Sequence, residues 1–407
     1  MSKKLFIIIV CLILGLFLIS LIGYYFIIQN NQGEPTSLVQ GFKNFFPFGG
    51  NDPIEEPGVV TPNEETPIET PPKNFTQKLR KLSAEPVAGA GTLDIKAGTI
   101  VHYIEKATGH IFEVELFSPN QNRISNTTIP VVYDTIWGNK NNSLIARYLK
   151  DDDQTVDTYS LSLKSISTTT ENTISGIAFP RDISDVSILG DSVFYLVKNN
   201  SSSAGYISNF DGSKRKQIWN SEIKELLSQY VNAKTIALTT KPAPNISGFL
   251  YFVDTTSGQV KKMLGDVSGL STQVDSLGTQ ILFLEQGDGA TLSLFDVKGK
   301  STTNITPATF PEKCAWSKKD KYILYCAVPK EFIDGNSLTS WYKGFISYTD
   351  DIWKYDLKNN SSRIIDDLSI DSSQTIDVVK PILSENEQYL IFINKIDNTL
   401  WSLDLTK

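Results

Sequence analysis

In CAWSKKDKYILYC (residues 314–326) a short apolar run, CAW, is followed by a polar turn, SKKDK, and then by a second apolar run that continues from Ile323 to Ala327. Two runs of strand length joined by a few polar residues read as a β-hairpin. The same pattern recurs along the chain. Its deeper runs are TIVHYIE (99–105), NSLIARYL (142–149), SVFYLVK (192–198), TIALTTK (235–241), TQILFLE (279–285), YILYCAV (322–328) and YLIFINK (389–395). The first aligned apolar residues, Ile100, Leu144, Val193, Ile236, Ile281, Ile323 and Leu390, are separated by 44, 49, 43, 45, 42 and 67 residues. β-Branched and aromatic runs at a spacing of about 40 to 50 residues exclude a helical solenoid and predict a β-propeller.

Each deep run is followed by a second strand, and several of these alternate strictly. In HIFEVEL (110–116), Phe112, Val114 and Leu116 oppose Glu113 and Glu115; in TLWSLDL (399–405), Trp401, Leu403 and Leu405 oppose Ser402 and Asp404. A period of two marks a half-exposed strand, so the blade order runs from inner to outer. A more polar fourth strand follows, as in KRKQIWN (214–220), QVKKMLG (259–265) and SSRIIDD (361–367). The last unit ends at Leu405 with no room for a fourth strand, and QKLRKLS (77–83), ahead of the first unit, has the same pattern as QVKKMLG. The reading is therefore an all-β, seven-bladed propeller of four-stranded blades over residues 76–407, closed by its N-terminal strand.

WSKKDKYILY (316–325) and LSENEQYLIF (383–392), each followed by a strand ending in Asp-Leu, resemble the WSPDG-type repeats of TolB-like, WD-repeat-like bacterial propellers. The chain is also similar to membrane-anchored bacterial propellers of unassigned function, which pair an N-terminal helix and a Pro-rich tether with such a domain. The resemblance implies the fold. The Pro and Gly of the TolB turn are absent and seven units replace six, so TolB's partners are not carried over.

Two segments precede the repeats. Lys3 and Lys4 lead into 24 uncharged residues, Leu5 to Ile28, long enough to cross ~30 Å of hydrocarbon. Residues 1–28 thus read as a cytoplasmic tip and an uncleaved transmembrane anchor, with the propeller outside the cytoplasm of a bacterial cell. A cleaved signal peptide is the alternative, but the run is long for one and no A-x-A-like site follows. Cys11 reads as lipid-facing. Residues 29–75 hold eight of the eighteen prolines, and residues 51–72 carry six acidic residues with no Lys or Arg, so this linker is expected to be a disordered tether. Within it, Phe42, Phe45, Phe46 and Phe48 beside Lys43 suit either a bilayer surface or plain linker.

The net charge of −7 falls mostly in that linker, and nothing resembles the basic stripe that nucleic acid requires. Three cysteines and two histidines (His102, His110) are too few for common zinc or haem sites, and neither a cofactor nor a metal is expected. Asp151, Asp152, Asp153 and Asp157 form either a calcium loop or, more simply, a solvated acidic turn. Cys314 and Cys326 face each other across the hairpin if its turn centres on Asp320, which leaves a disulfide or two buried thiols.

No G-x-S-x-G, P-loop, H-E-x-x-H or dinucleotide motif occurs. The 67-residue interval arises from a long connection in unit six between Pro329 and Asp350. It carries Trp341, Tyr342, Phe345 and Tyr348 beside Asp350 and Asp351, residue types suited to a carbohydrate or peptide surface, or to packing over a neighbouring blade. The inner strands offer Asp185, Asp275 and Asp377, scattered along the chain. The expected function is a membrane-tethered module that binds or scaffolds protein or cell-envelope glycan. The alternative is a carbohydrate-active enzyme, a glycosidase or lyase, with carboxylates in the central funnel.

Overall fold

The computed structural model describes residues 77–407 apart from 126, 130, 139, 140, 151, 153, 154, 166–171, 288 and 332–336. The anchor and tether expected over residues 1–75 lie outside the described residues. Among those described, no helix is long and apolar enough to cross a membrane.

Among the described residues, twenty-eight strands form seven antiparallel four-stranded sheets. Blades 1 to 6 are each contiguous in sequence, their inner strands being Val87–Ile95, Val132–Gly138, Ile183–Leu189, Leu226–Asn232, Ser271–Val274 and Cys314–Trp316. Blade 7 takes Val378–Leu383, Tyr389–Asn394 and Leu400–Asp404 from the end of the chain and its outer strand, Leu79–Lys81, from the beginning. Leu79 pairs with Leu403, Arg80 with Ser402 and Lys81 with Trp401. This is the closure expected from the missing last strand.

The local sequence explains the closing strand's grip. Leu79 packs with Ala327, Ile352 and Leu403 on the blade 6 side, and Leu82 with Val101 and Val114 of blade 1. Arg80, only 5% exposed, donates to the carbonyls of Glu115 and Ser118 in blade 1 at 3.2 and 3.1 Å. A three-residue strand is thus held by its own blade and by the next.

The core is a ring of clusters between blades. Leu282, Leu284, Leu292 and Leu294 of blade 5 meet Leu324, Cys326 and Tyr355 of blade 6, and comparable seams lie elsewhere in the ring. Burying one such side chain contributes about 1.5–3 kcal/mol, which is why the second strands are apolar on both faces.

Polar bridges from the inner strands complete the ring. Arg147 donates to the Ile183 carbonyl (3.2 Å), and the Asp185 carboxylate accepts from Ser228 N and Oγ (2.5 and 2.7 Å). Gln229 exchanges two hydrogen bonds with the Val274 backbone (2.7 and 2.8 Å), and Gln273 donates to the Cys314 carbonyl (2.9 Å). Lys380 donates to the Ala88 carbonyl (2.9 Å) and pairs with Asp134. These bonds tie blades 2 through 6 in succession, with Arg147 reaching from the second strand of blade 2, and tie blade 7 to blades 1 and 2; the inner strands run in one direction. The ring then has two faces: a hairpin face at the ends of the inner strands and a connection face at their beginnings.

Candidate functional site

The connection face of blade 6 is built on the short 3-10 turn Pro311–Lys313, which enters the inner strand Cys314–Trp316. Its last two residues point to different neighbours. Lys313 is wholly buried, and its Nζ donates at 2.5 Å to both Asp350 Oδ2 and Asp377 Oδ1, also wholly buried. Asp350 opens the third strand of blade 6 and Asp377 immediately precedes the inner strand of blade 7. Glu312 turns to blade 5, accepting from Ser271 Oγ at 2.7 Å.

The long connection of blade 6 is clamped onto this pair. Its helix, Ser337–Tyr342, ends in two adjacent aromatic residues. Trp341 Nε1 donates to both oxygens of Asp377 at 3.0 and 2.9 Å, and the Tyr342 hydroxyl donates to Glu312. Tyr348 N also donates to Asp377 Oδ2 at 3.1 Å, and the Lys313 ammonium lies 5.0 Å from the Trp341 ring centroid and 5.5 Å from that of Tyr348. Three buried charges are tolerable here because the ammonium meets two carboxylates and two aromatic faces.

The titration of these groups follows from burial. Removal from water pushes the Asp350 carboxyl up to about 6, with Lys313 opposing the shift and Asp377 adding to it. Asp350 Oδ1 is buried without a hydrogen-bond partner, which agrees with that direction. Burial also raises Glu312, whose Oε2 is buried and unpartnered although the residue as a whole is half-exposed. The Tyr342 ring is 42% exposed while its hydroxyl is engaged inward, and it titrates well above the ordinary phenol range.

The residues singled out in the long connection of unit six are thus divided. Trp341, Tyr348 and Asp350 are buried, 3%, 4% and 0% exposed, and pack beneath the surface. Tyr342 and Phe345, the latter 77% exposed, face solvent. Asp351 lies off to the side, paired with Lys330 at 3.1 Å, which also holds Asp367 at 2.7 Å.

The inner-strand carboxylates all have structural partners. Asp185 binds Ser228, Asp377 binds Lys313 and Trp341, and Asp275 sits just past its strand and accepts from Thr279 N and Gln280 N at 2.6 and 2.8 Å, closing a hairpin turn. His102 Nε2 is 2.8 Å from Glu113 Oε2, which lies below the ordinary carboxylate range because of that bond, and His110 contacts Thr128 Oγ1 at 3.3 Å. Asp152 accepts from Thr155 N at 2.7 Å and Asp157 pairs with Lys150 at 3.0 Å; Asp151 and Asp153 lie outside the described residues. No group of three or more metal-ligating side chains occurs among the described residues. Cys314 and Cys326 are joined by a disulfide across the directly paired positions of the hairpin.

Lys313 and Glu312 were not singled out from the sequence. PEK (311–313) is an ordinary polar turn in isolation, and its partners lie 37 and 64 residues downstream.

No protein-family model and no curated protein matches the chain. Among solved structures it is similar to the GH74 enzyme of Niastella koreensis, with a TM-score of 0.53 and 10% identity, covering 81% of this chain and 54% of that one. It is similar to YCF48 of Cyanidioschyzon merolae, with a TM-score of 0.52 and 10% identity over 81% of this chain and all of that one. The match to TolB of Acinetobacter baumannii has a TM-score of 0.39 and 11% identity over 81% of this chain and 66% of that one, too low to carry an argument. Identities of this size speak for fold alone. What holds of the resemblance read from the hairpin turns is the fold: the chain is a seven-bladed β-propeller.

Proposed function

We propose that the protein is a membrane-anchored, extracytoplasmic binding or scaffolding module that presents the connection face of blade 6 to a protein or cell-envelope glycan. The observation that carries this reading is the clamp: two solvent-facing aromatic rings, Tyr342 and Phe345, stand on or beside a helix whose neighbouring Trp341 is fixed to a buried carboxylate. A preorganised aromatic surface loses little freedom on binding, which is where affinity is usually gained. The anchor at Leu5 to Ile28 would hold this surface near the membrane, on the outer side.

A glycosidase or lyase needs a pair of carboxylates free to act on a substrate. Asp185, Asp275 and Asp377 are each held by hydrogen bonds or an ion pair, and Asp134 in the channel is paired with Lys380, which favours binding over catalysis. The test is a pull-down from solubilised cell envelope with the full chain and its Tyr342→Ala/Phe345→Ala double variant. Truncating central rings costs at least ~2 kcal/mol at such surfaces. The variant should lose the captured partner; undiminished capture with an unchanged melting temperature would exclude the insertion as the recognition surface.

A further inference from the structure

The hairpin face carries the inner turns, from first to second strand, and the outer turns, from third to fourth, and over blades 3 to 6 its charge is unbalanced. The outer turns of these blades lie between Asn209 and Lys216, Asp254 and Val260, Asp296 and Ser301, and Asp356 and Ser361. Each has one aspartate, and each aspartate is engaged by its own turn. Asp211 accepts from Ser213 N at 2.9 Å, Asp254 from Ser257 N at 2.7 Å and Asp356 from Asn359 N at 3.1 Å; Asp296 accepts from Gly299 N.

Cations outnumber these carboxylates. Blade 3 contributes Lys214, Arg215 and Lys216 and blade 4 Lys261 and Lys262, all exposed. Blade 5 follows with Lys298 and Lys300 and blade 6 with Lys358, again exposed. The inner turn of blade 6 adds Lys318, Lys319 and Lys321 around Asp320. The other inner turns of these blades hold one lysine, Lys234, and two aspartates, Asp191 and the buried Asp275.

Among the described residues none of these cations forms an ion pair. Lys216 instead donates to the Thr256 carbonyl at 2.7 Å, so the outer turns of blades 3 and 4 adjoin. The connection face differs: there Lys150 pairs with Asp157, Lys198 and Lys241 with Glu225, and Lys330 with Asp351 and Asp367. One hairpin-face cation also sits against its backbone preference. The last position of the outer turn has a left-handed φ and is Gly258 (73°) in blade 4 and Asn360 (47°) in blade 6, residues suited to it, but Lys300 (53°) in blade 5. A choice that departs from local preference points to a demand from outside the turn.

Apolar side chains lie between the lysines. Val260, beside Lys261, is 47% exposed, and Leu277, at the tip of the inner turn of blade 5, is 60% exposed. Cations interleaved with exposed aliphatic groups suit an anionic bilayer, where ammonium groups meet phosphates and aliphatic groups enter the headgroup boundary. A soluble polyanion would use the charges alone and leave Val260 and Leu277 in water. The chain also enters the propeller on this face, because Leu79 pairs with Leu403 at the hairpin end of blade 7.

We propose that the hairpin face of blades 3 to 6 docks on a bilayer containing anionic phospholipid, through its turn lysines and the aliphatic groups between them. This deepens the function proposed above and rests on its membrane location. Docking in this sense turns the connection face, with Tyr342 and Phe345, away from the lipid.

The test places the full chain in nanodiscs of phosphatidylcholine alone or with roughly a third phosphatidylglycerol, and follows amide exchange by mass spectrometry. Co-elution with the neutral discs reports the anchor. Slower exchange in residues 211–216, 257–262, 297–300 and 318–321 on adding phosphatidylglycerol reports the docking, and about 0.5 M salt should reverse it. Exchange at 342–345 should not change. A cation near such a surface is worth about fivefold in binding, so Lys214→Glu/Lys261→Glu/Lys300→Glu should lose the protection while still co-eluting. Gln at the same three positions repeats the test should the Glu variant melt lower, and Leu277→Ser should weaken protection with no change of charge. Equal exchange in the two lipids would overturn the proposal, as would protection that survives both triple variants. So would equal protection by soluble polyphosphate on neutral discs, which would make the partner a soluble polyanion. Failure to co-elute with neutral discs would refute the anchor alone; flotation of the chain with phosphatidylglycerol vesicles, and not with phosphatidylcholine vesicles, would then still support the docking, and its absence would overturn it.

Discussion

The connection face of blade 6 and the seams between blades bury polar groups in opposite ways. Beneath the insertion, Lys313, Asp350 and Asp377 are full charges with no solvent exposure, and each has an opposite charge at 2.5 Å. Along the seams the orphaned atoms of Thr135, Trp137, Asn141, Gln273 and Trp316 belong to neutral groups. The difference follows from magnitude. An unpaired buried charge costs several kcal/mol and would unfold a marginal domain, whereas a neutral donor without a partner costs ~1–3 kcal/mol and can be carried.

Opening the ring should abolish the comparison altogether, because both regions depend on blades held in register. Deleting residues 73–84 removes the outer strand of blade 7 and the Arg80 bridges to blade 1. A calorimetric scan should show the melting temperature falling by roughly 10 °C or more.

Next in size is Lys313→Met, which strands two buried carboxylates and should destabilise by about 3–5 kcal/mol in urea titration. The pH dependence of stability refines this. The Asp350 pKa is raised in the folded state to about 6, above the 3.8 of an ordinary aspartate, so the folded protein binds its proton more tightly than the unfolded chain. Its contribution is therefore least favourable above pH 6 and improves as pH falls through 6 towards 4. Asp350→Asn should remove that part of the profile, seen as the difference between wild-type and variant urea midpoints across the window.

The sharpest contrast uses one substitution in two places. Trp341→Phe deletes the N–H that binds both oxygens of Asp377 and should cost about 1–3 kcal/mol, since a charged acceptor loses a donor. Trp137→Phe deletes an N–H that binds nothing and should change stability by no more than ~0.5 kcal/mol, or slightly raise it. Equal losses in the two variants would mean that the two regions do not differ as described.

The blades were legible because the forces that define them are local and periodic. Ile323 to Ala327 is apolar on both faces and reads as a deep strand, and the missing strand after Leu405 pointed to QKLRKLS; the alternation of Trp401, Leu403 and Leu405 misled, because Leu400–Asp404 is buried throughout, Ser402 and Asp404 included. The insertion was legible as an outsized interval, but the inward fate of Trp341 was not. Its partner, Asp377, is 36 residues on and meets Lys313 only because blade 7 follows blade 6 around the ring. The unpartnered N–H of Trp137 was not legible either, because it depends on where Gly91 lets the blade 1 backbone approach.

Closure through Leu79–Lys81 also sets a schedule for synthesis. Leu79 is made near the start of the propeller, yet its ladder partner, Leu403, is made more than three hundred residues later. At about 5–20 residues per second the wait is on the order of tens of seconds. Throughout it blade 1 has no seventh blade to pack against, and Leu82 has no strand to follow. Six blades can assemble in order from the N-terminal side, but the ring acquires its last seam only after the final strand emerges, so a chain stalled short of Leu400–Asp404 is left as an open array with unpaired edges at both ends.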